Sequence, residues 1–340
     1  MTTPWYLQSG NSGDIVISSR VRLARNLKSF AFTNRLLPAE ILKINSEILD
    51  ALKDLNLNFV DLSLFNNLQA LALVENHVIS PNFLQKPHTK ALLTNKDFTT
   101  SIMLNEEDHV RIQTFCAGLD LDECFKIANE IDDELDKGCE IAFDENFGYL
   151  TECATNLGTG LRAGVSLHLF AIEKSGSIAE LQAAASKIGL TIRGAYGEGS
   201  APFGSVYQLS TQSTLNIKED VAISNLQSVT TQIIEKEREL RKNIINDIFL
   251  VDKIFRAYGN LKHARVITSD ECTKSLSLLR LGVSCKILND LKIEQVNRLN
   301  IETKPANLLL NSNKKSENTP QNRDILRANL LRETLKENKL

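Results

Sequence analysis

Hydrophobic and polar residues alternate along much of the first two thirds of the chain, and this pattern predicts β-strands. The first strand is predicted over residues 14–22. Further strands are predicted near residues 90–94, 99–115, 138–143, 148–153, 163–171, 189–195 and 204–210. Several of these strands lie close enough in sequence to be joined as hairpins, which favours antiparallel pairing.

Apolar residues at helical spacing interrupt these strands. Helices are predicted over residues 38–55, 119–136 and 178–188. Strands with interspersed helices indicate an α+β fold, in which a largely antiparallel β-sheet is flanked by helices, rather than a doubly wound parallel sheet.

The last third of the chain has a helical pattern throughout. One long helix is predicted over residues 219–258, and Thr268 to Glu271 resembles a capping box that opens another helix. Residues 311–322 are polar and predict an exposed loop before a last helix over residues 323–337. Two domains are therefore predicted, an α+β domain over residues 14–245 and an all-helical C-terminal domain over residues 246–340.

Residues 105–111 place carboxylates, an imidazole and a guanidinium inside the strand predicted over residues 99–115. Because strand side chains point alternately to opposite faces, Glu107, His109 and Arg111 are expected on one face. A solvated polar face and one wall of a functional site both fit this pattern.

Composition limits the classes of function. The net charge of −3 gives no general electrostatic case for binding nucleic acid, and no apolar run approaches the ~18 residues that a membrane span needs. The six cysteines show no close metal-ligand spacing, so no metal site is predicted from them. Reduced thiols in a cytoplasmic protein are the simplest interpretation.

Arginines lie at strand positions suited to a polyanion. Arg20 and Arg22 are two apart and share a face of the first strand, where two guanidiniums match phosphate oxygens. Arg162 follows a glycine-containing segment and Arg193 precedes another. Neither segment has the spacing of a P-loop or of a dinucleotide-binding loop. Any phosphate binding should therefore be local and carried by arginines.

Four segments together resemble, in order, the motifs of the guanidino-phosphotransferase (phosphagen kinase) family. They are residues 18–25, 105–111, 153–163 and 193–200, and the similarity spans roughly residues 14–245. Within the family the chain looks most like the bacterial protein-arginine kinase branch (McsB type), because no N-terminal helical domain precedes the first catalytic strand. In addition, residues 323–328 resemble that branch's RDxxRA phosphoarginine-binding motif.

The resemblance implies an ATP-dependent kinase that uses Mg²⁺. It implies that Glu107 and Glu198 hold the acceptor guanidinium and that Cys153 is the active-site cysteine. One carboxylate must accept a proton from the guanidinium, and Glu107 is the predicted base. A small core residue is the alternative for Cys153, and a structural histidine is the alternative for His77. The implied nucleotide-binding residues are Ser18, Ser19, Arg20, Val21, Arg22, His77, Arg111, Arg162, Ala163, Gly164, Val165, Ser166, Arg193, Gly194, Ala195, Tyr196, Gly197 and Glu198.

In the helical tail the resemblance implies an allosteric phosphoarginine site at Arg323, Asp324, Arg327 and Ala328. Arg323 and Arg327 are four apart and are expected to face one way, although a salt-bridged helix surface would show the same spacing. The implied partners are protein substrates, including a heat-shock repressor and misfolded proteins, a zinc-binding activator and a Clp unfoldase-protease. A regulatory site also predicts a homo-oligomer, a dimer or larger.

Two other functions remain open from the sequence. A free-arginine phosphagen kinase shares the catalytic motifs, and a catalytically weak adaptor would bind phosphoarginine without making it. The chain has Ala201 where small-substrate members often carry a second glutamate, and Tyr196 where free-arginine kinases commonly have an arginine. These departures bear on which carboxylate holds the acceptor and on the contacts to phosphate.

Overall fold

A computed structural model describes residues 4–85, 90–194, 204–312 and 318–336. Its centre is an eight-stranded sheet built from β1 Val16–Arg25, β2 Asn58–Val60, β3 Ala91–Thr94, β4 Thr100–Leu104, β5 Val110–Ala117, β8 Leu161–His168, β9 Leu190–Gly194 and β10 Val206–Thr211. The strand order is β2-β3-β4-β5-β1-β8-β10-β9, and every neighbouring pair is antiparallel. The predicted α+β fold with a largely antiparallel sheet is confirmed.

Helices cover one face of the sheet and build the larger hydrophobic core. Val21 and Leu23 of β1 point to this face, whereas Arg20 and Arg22 point to the other, as the two-residue period requires. The described helices that precede the C-terminal region are α1 Pro38–Ala51, α2 Asn67–Glu75, α3 Leu121–Gly138, α4 Phe170–Lys174, α5 Ile178–Lys187 and α6 Glu219–Arg241.

The C-terminal region is helical and supplies most of a second hydrophobic cluster, which includes Ile254, Leu279, Leu299 and Leu331 together with Ala171 of α4. Its helices are α7 Ile248–His263, α8 Ser269–Ser284, α9 Ile293–Glu302, α10 Pro305–Asn311 and α11 Pro320–Lys336. Among the described residues, none of the helices is both long and apolar enough to cross a membrane.

The prediction of a single strand over residues 99–115 is wrong. The segment is a β4–β5 hairpin, and residues 105–109 form the turn that joins the two strands. Asn105 adopts a left-handed backbone conformation (φ 58°), and its N–H donates to the His109 carbonyl at 2.9 Å. Glu107 and His109 therefore do not share a strand face with Arg111, and the face expected in common does not exist.

Other predicted bounds also change. The helix predicted over residues 219–258 is two helices, because the Asp247 carboxylate accepts from the Leu250 N–H at 3.2 Å and starts α7. In place of the strands predicted at 138–143 and 148–153, the structure has a small hairpin of two-residue strands, β6 Phe143–Asp144 and β7 Gly148–Tyr149. The last helix begins at Pro320 rather than residue 323, and sequence periodicity missed β2 and α2.

Candidate active site

Four arginines, Arg20, Arg22, Arg111 and Arg162, lie on the sheet face opposite the larger hydrophobic core. Arg22 of β1 lies opposite Arg162 of β8, and Arg20 lies opposite Gly164. Arg111 of β5 pairs in register with Ala24, at the same end of the sheet. Antiparallel register thus brings together guanidiniums that lie up to 142 positions apart in sequence (162 minus 20).

The arginine cluster is short of negative charge. Burial and the charge of Arg111 lower the pKa of Arg20 to about 10, and burial, Arg20, Arg111 and Arg162 lower the pKa of Arg22 well below its usual value. Arg111 is ion-paired with Glu106, but the buried Arg22 Nε has no hydrogen-bond partner among the described residues. Such a cluster would be relieved by a bound polyanion.

The open sheet face contains three neighbouring cavities. The aromatic cavity (about 1040 Å³) is lined by Trp5, His77, Phe115 and Arg20, among others. The arginine cavity (about 1220 Å³) is lined in part by Arg20, Arg22, Arg162, Arg193 and Gln208. The carboxylate cavity (about 540 Å³) is lined in part by Arg22, Glu107, Cys153 and Arg162. The aromatic and arginine cavities share Arg20 and Gln208, and the arginine and carboxylate cavities share Arg22, Thr155 and Arg162, so the three cavities adjoin one another.

His77 lines the aromatic cavity. Its backbone is left-handed (φ 62°), and its carbonyl accepts from Gln113 Nε2 at 2.9 Å. The imidazole lies 6.3 Å from the Trp5 ring and 6.4 Å from the Phe115 ring, between ring centroids. Burial, Lys304 and Arg20 lower the pKa of His77 well below its usual value, so the ring is neutral at pH 7.

Glu107 lies on the β4–β5 turn at the carboxylate cavity. Partial burial and the neighbouring Asp108 raise its pKa, while a hydrogen bond from Cys153 and the charge of Arg111 oppose the rise. The Cys153 Sγ also lies 3.1 Å from Thr155 Oγ1. Glu107 and Cys153 are thus neighbours in one cavity.

Sequence reasoning missed the residues that fix this turn. The buried Asp108 carboxylate accepts from Asn26 Nδ2 at 2.7 Å and from the Glu152 N–H at 2.8 Å. His109 is fully buried: its Nδ1 accepts from the Leu27 N–H at 3.0 Å, and its Nε2 lies 2.8 Å from the Ala31 carbonyl oxygen. Nothing in the sequence distinguishes Asp108 and His109, which hold the turn in place, from Glu107, which faces the cavity.

Arg162 is held by the backbone around the cavity. Its guanidinium donates to the Thr211 carbonyl at 3.0 Å and to the Thr155 carbonyl at 2.8 Å. Arg193 is exposed on β9 and its Cα pairs with that of Gln208. Both lie at the arginine cavity, and Gly194 ends β9 next to Arg193.

The remaining predicted nucleotide residues divide by sheet face. Ser18, Gly164 and Ser166 line the aromatic cavity. Ser19 is buried and donates to the Gly118 carbonyl at 2.9 Å. The other three are apolar residues buried in the core on the helix-covered face, and they are Val21, Ala163 and Val165. The predicted residues Ala195, Tyr196, Gly197 and Glu198, together with Ala201, lie outside the described residues.

In α11 the two arginines of the RDxxRA-like segment have different surroundings. Arg327 is 2% exposed and donates to the Thr303 carbonyl at 3.1 Å, the Ile267 carbonyl at 2.8 Å and the Asp324 carboxylate at 2.7 Å. Arg323 is partly exposed and donates to Asn318 Oδ1 at 2.5 Å. The structure does not show the expected common face, because Arg327 turns inward; Ala328 is fully buried beside it.

Two family models match the chain. The model "ATP:guanido phosphotransferase, C-terminal catalytic domain" matches residues 40–240, and "Protein-arginine kinase McsB C-terminal domain" matches residues 247–339. The chain is 40% identical over 336 residues to the protein-arginine kinase of Halothermothrix orenii, covering 97% of this chain and 96% of that one. It is 41% identical over 340 residues to the protein-arginine kinase of Bacillus subtilis, covering 97% and 93%.

Solved structures of guanidino kinases share the fold. A lombricine kinase matches with a TM-score of 0.61 and 25% identity, over 69% of each chain. The duplicated taurocyamine kinase of Schistosoma mansoni, solved with transition state analogue components, matches with a TM-score of 0.62 and 23% identity, over 75% of this chain and 39% of that one. The chain therefore belongs to the ATP:guanido phosphotransferase family and, within it, to the protein-arginine kinases, which depend on ATP.

Proposed function

We propose that the chain transfers the γ-phosphoryl group of ATP to arginine side chains of proteins, forming Nω-phosphoarginine. The observation that carries this proposal is the order of the three cavities. The aromatic cavity suits the adenine of ATP, the arginine cavity suits its phosphates, and the carboxylate cavity suits a guanidinium. Arg22 and Arg162 stand at the junction where the γ-phosphate would meet the acceptor.

Phosphoryl transfer needs positioning and charge neutralisation more than covalent chemistry from the protein. Arg20, Arg22, Arg111, Arg162 and Arg193 would hold the phosphates. A guanidinium has a pKa above ~12 and is a poor nucleophile until a proton is removed. Its nitrogen forms a bond to the γ-phosphorus, the bond from that phosphorus to the β–γ bridging oxygen breaks, and ADP leaves.

Glu107 is the proposed base. Its carboxylate would orient the guanidinium and accept the proton that the attacking nitrogen loses, and its raised pKa improves it as a proton acceptor near neutral pH. Cys153 would contact the same guanidinium from beside Glu107. Glu198, which lies outside the described residues, is the proposed second carboxylate.

Magnesium would neutralise phosphate charge when bound with ATP. The described residues contain no group of three or more His, Cys, Asp or Glu side chains able to hold a metal alone. A Mg²⁺ ion that keeps its waters and binds mainly to nucleotide phosphates fits these residues, because Mg²⁺ commonly needs few protein ligands.

We further propose, from the family resemblance, the wider role expected of this branch. The phosphoarginine mark would direct proteins, including misfolded ones, to a Clp unfoldase-protease in the cytoplasm, and a heat-shock repressor would be one substrate. A zinc-binding activator and assembly into a dimer or larger oligomer belong to the same proposal. Arg323, Asp324, Arg327 and Ala328 would bind phosphoarginine, which requires the Arg327 guanidinium to exchange its present partners.

The division into a catalytic domain (14–245) and a helical domain (246–340) is also proposed. It is supported by the two separate hydrophobic clusters and by the end of α6 and start of α7 on either side of residue 246.

The activity is tested by incubating the chain with ATP and an arginine-rich protein, and by measuring acid-labile phosphate on that protein. We expect Glu107→Gln to reduce the rate at least about 100-fold, since general-base catalysis contributes roughly 10²–10⁴-fold. Glu145→Gln, at an exposed position of the β6–β7 hairpin, is the matched control and should leave the rate unchanged.

Two outcomes would overturn part or all of the proposed function, and a third would change only the variant that is used. A normal rate in Glu107→Gln removes Glu107 as the base. A wild-type chain that binds phosphoarginine but makes none would be the adaptor. Loss of folded structure in Glu107→Gln, checked by circular dichroism, would require Glu107→Asp in its place, with a smaller loss expected.

A further inference from the structure

The aromatic cavity has two walls from different parts of the chain. The sheet supplies Arg20, Phe115 and their neighbours, whereas the helical C-terminal region supplies the opposite wall. That wall consists of Thr273, Leu276, Ser277 and Arg280 of α8, Asn297, Asn300 and Ile301 of α9, and Lys304. The arginine and carboxylate cavities are lined by residues of the catalytic region, up to Leu215. The helical region therefore meets the cleft at its aromatic end.

The charge of the aromatic cavity is positive. Arg20, Arg280 and Lys304 line it, and no described aspartate or glutamate does. Arg280 is 1% exposed and forms no ion pair with a described carboxylate; it donates instead to the Gly13 carbonyl at 2.6 Å and to Asn297. A neutral base alone does not account for so much positive charge, whereas a nucleoside phosphate does.

Lys304 is the cation that bridges the two walls. It sits between α9 and α10, and its ammonium donates to the Glu75 carbonyl at 2.8 Å and lies 3.3 Å from His77 Nε2. The Glu75 carboxylate is engaged elsewhere, by the Ala306 N–H at 2.9 Å and the Asn307 N–H at 3.0 Å. These bonds hold the start of α10 against the end of α2 and fix Lys304 beside the imidazole of His77.

We propose that Lys304 is a nucleotide-binding residue supplied by the helical region, with its ammonium donating to a ribose or α-phosphate oxygen of ATP. The proposal rests on the proposed function, because it assumes that the adenine of ATP lies in the aromatic cavity. It extends the binding site past residue 240, where the match to the catalytic family model ends. The helical region would then be needed for nucleotide affinity as well as for any regulatory role.

The protein carries its own reporter of this cavity. Trp5 is the only tryptophan of the chain, and its ring is stacked on Phe115 at 5.5 Å with an interplanar angle of 14°. Titration of the full chain with ATP, followed by tryptophan fluorescence and calorimetry, gives the Kd. We expect Lys304→Met to weaken ATP binding about tenfold or more, the size expected of one charged hydrogen bond, and Lys304→Arg to restore most of it.

Two comparisons separate a direct contact from general distortion. Binding of inorganic pyrophosphate, which stands for the β- and γ-phosphates and lacks both the nucleoside and the α-phosphate, should change less than about twofold in Lys304→Met. Lys253→Met, at an exposed lysine of α7, should bind ATP like the wild type. A loss for AMP but not adenosine assigns the contact to the α-phosphate, and a loss for both assigns it to the ribose. If Lys304→Met does not stay folded, Lys304→Gln serves in the same comparisons.

The failures of the two proposals differ. Wild-type affinity for ATP in Lys304→Met, or an equal loss for ATP and pyrophosphate, would overturn the role of Lys304 and leave the proposed function intact. A wild-type chain that binds neither ATP nor ADP would instead overturn the proposed function.

Discussion

At the residue scale, the chemistry depends on how neighbours set the protonation of a few side chains. Partial burial and Asp108 raise the pKa of Glu107, with opposing contributions from Cys153 and Arg111. Burial and the charge of Arg111 lower the pKa of Arg20 to about 10, which leaves its guanidinium cationic at neutral pH. Glu107 is thus the group whose protonation should limit the reaction on the acid side.

This arrangement predicts the pH dependence of the reaction. A base must be unprotonated, so kcat/KM for the arginine acceptor should fall as the pH is lowered through the pKa of Glu107 in the free enzyme. Because that pKa is raised, the midpoint should lie above the ordinary value of 4.5. ATP affinity, followed by Trp5 fluorescence, should not show the same transition, since Glu107 lies in the carboxylate cavity. A midpoint at or below 4.5 contradicts this account.

At the element scale, helix α6 fastens the sheet through a buried carboxylate. Glu237 is fully buried and accepts from the N–H groups of Ala171 and Ile172, both at 2.9 Å, and from Arg241 Nε at 2.7 Å. Arg241 in turn donates to the His168 carbonyl at 2.7 Å, at the end of β8. One ion pair thus joins α6, α4 and the strand that carries Arg162.

Removing this carboxylate should destabilise the protein strongly. Glu237→Gln leaves the Arg241 guanidinium buried without its ion-pair partner, which typically costs about 3–5 kcal/mol of the free energy of unfolding. Urea unfolding followed by circular dichroism measures the loss. Glu239→Gln, at an exposed position two residues along the same helix, should change stability by less than about 0.5 kcal/mol. Equal stability of the two variants would show that the buried pair is not needed.

The elements also show where sequence patterns lose information. Alternation correctly predicted β1, in which Val21 and Leu23 are buried in the core, and the short spacing between strands correctly predicted an antiparallel sheet. It joined β4 to β5 because Leu104 and Val110, which pair across the hairpin, are six positions apart, so the two-residue period continues unbroken through the turn. Helical spacing likewise continues from α6 into α7, and only the Asp247 side chain marks the break.

At the scale of the whole molecule, the candidate site is formed by strands that are far apart in sequence and pair in the sheet. Arg22 and Arg162 meet because β1 pairs with β8, and the sequence alone contains no signal for that pairing. The motifs located these residues through family resemblance, whereas the inward turn of Arg327 and the position of Lys304 follow from tertiary packing. Thr303, whose carbonyl accepts from Arg327 Nε, directly precedes Lys304. Helix α11 is therefore linked through Thr303 to Lys304 at the aromatic cavity.

We propose that this cleft phosphorylates arginine within proteins. The most direct test of this proposal is one competition experiment, in which the chain receives radiolabelled ATP, an arginine-rich protein and free arginine at equal arginine concentration. We expect acid-labile phosphate chiefly on the protein, at arginine residues identified by mass spectrometry. Phosphate transferred to free arginine alone, with none on the protein, would contradict the account and make the chain a free-arginine kinase.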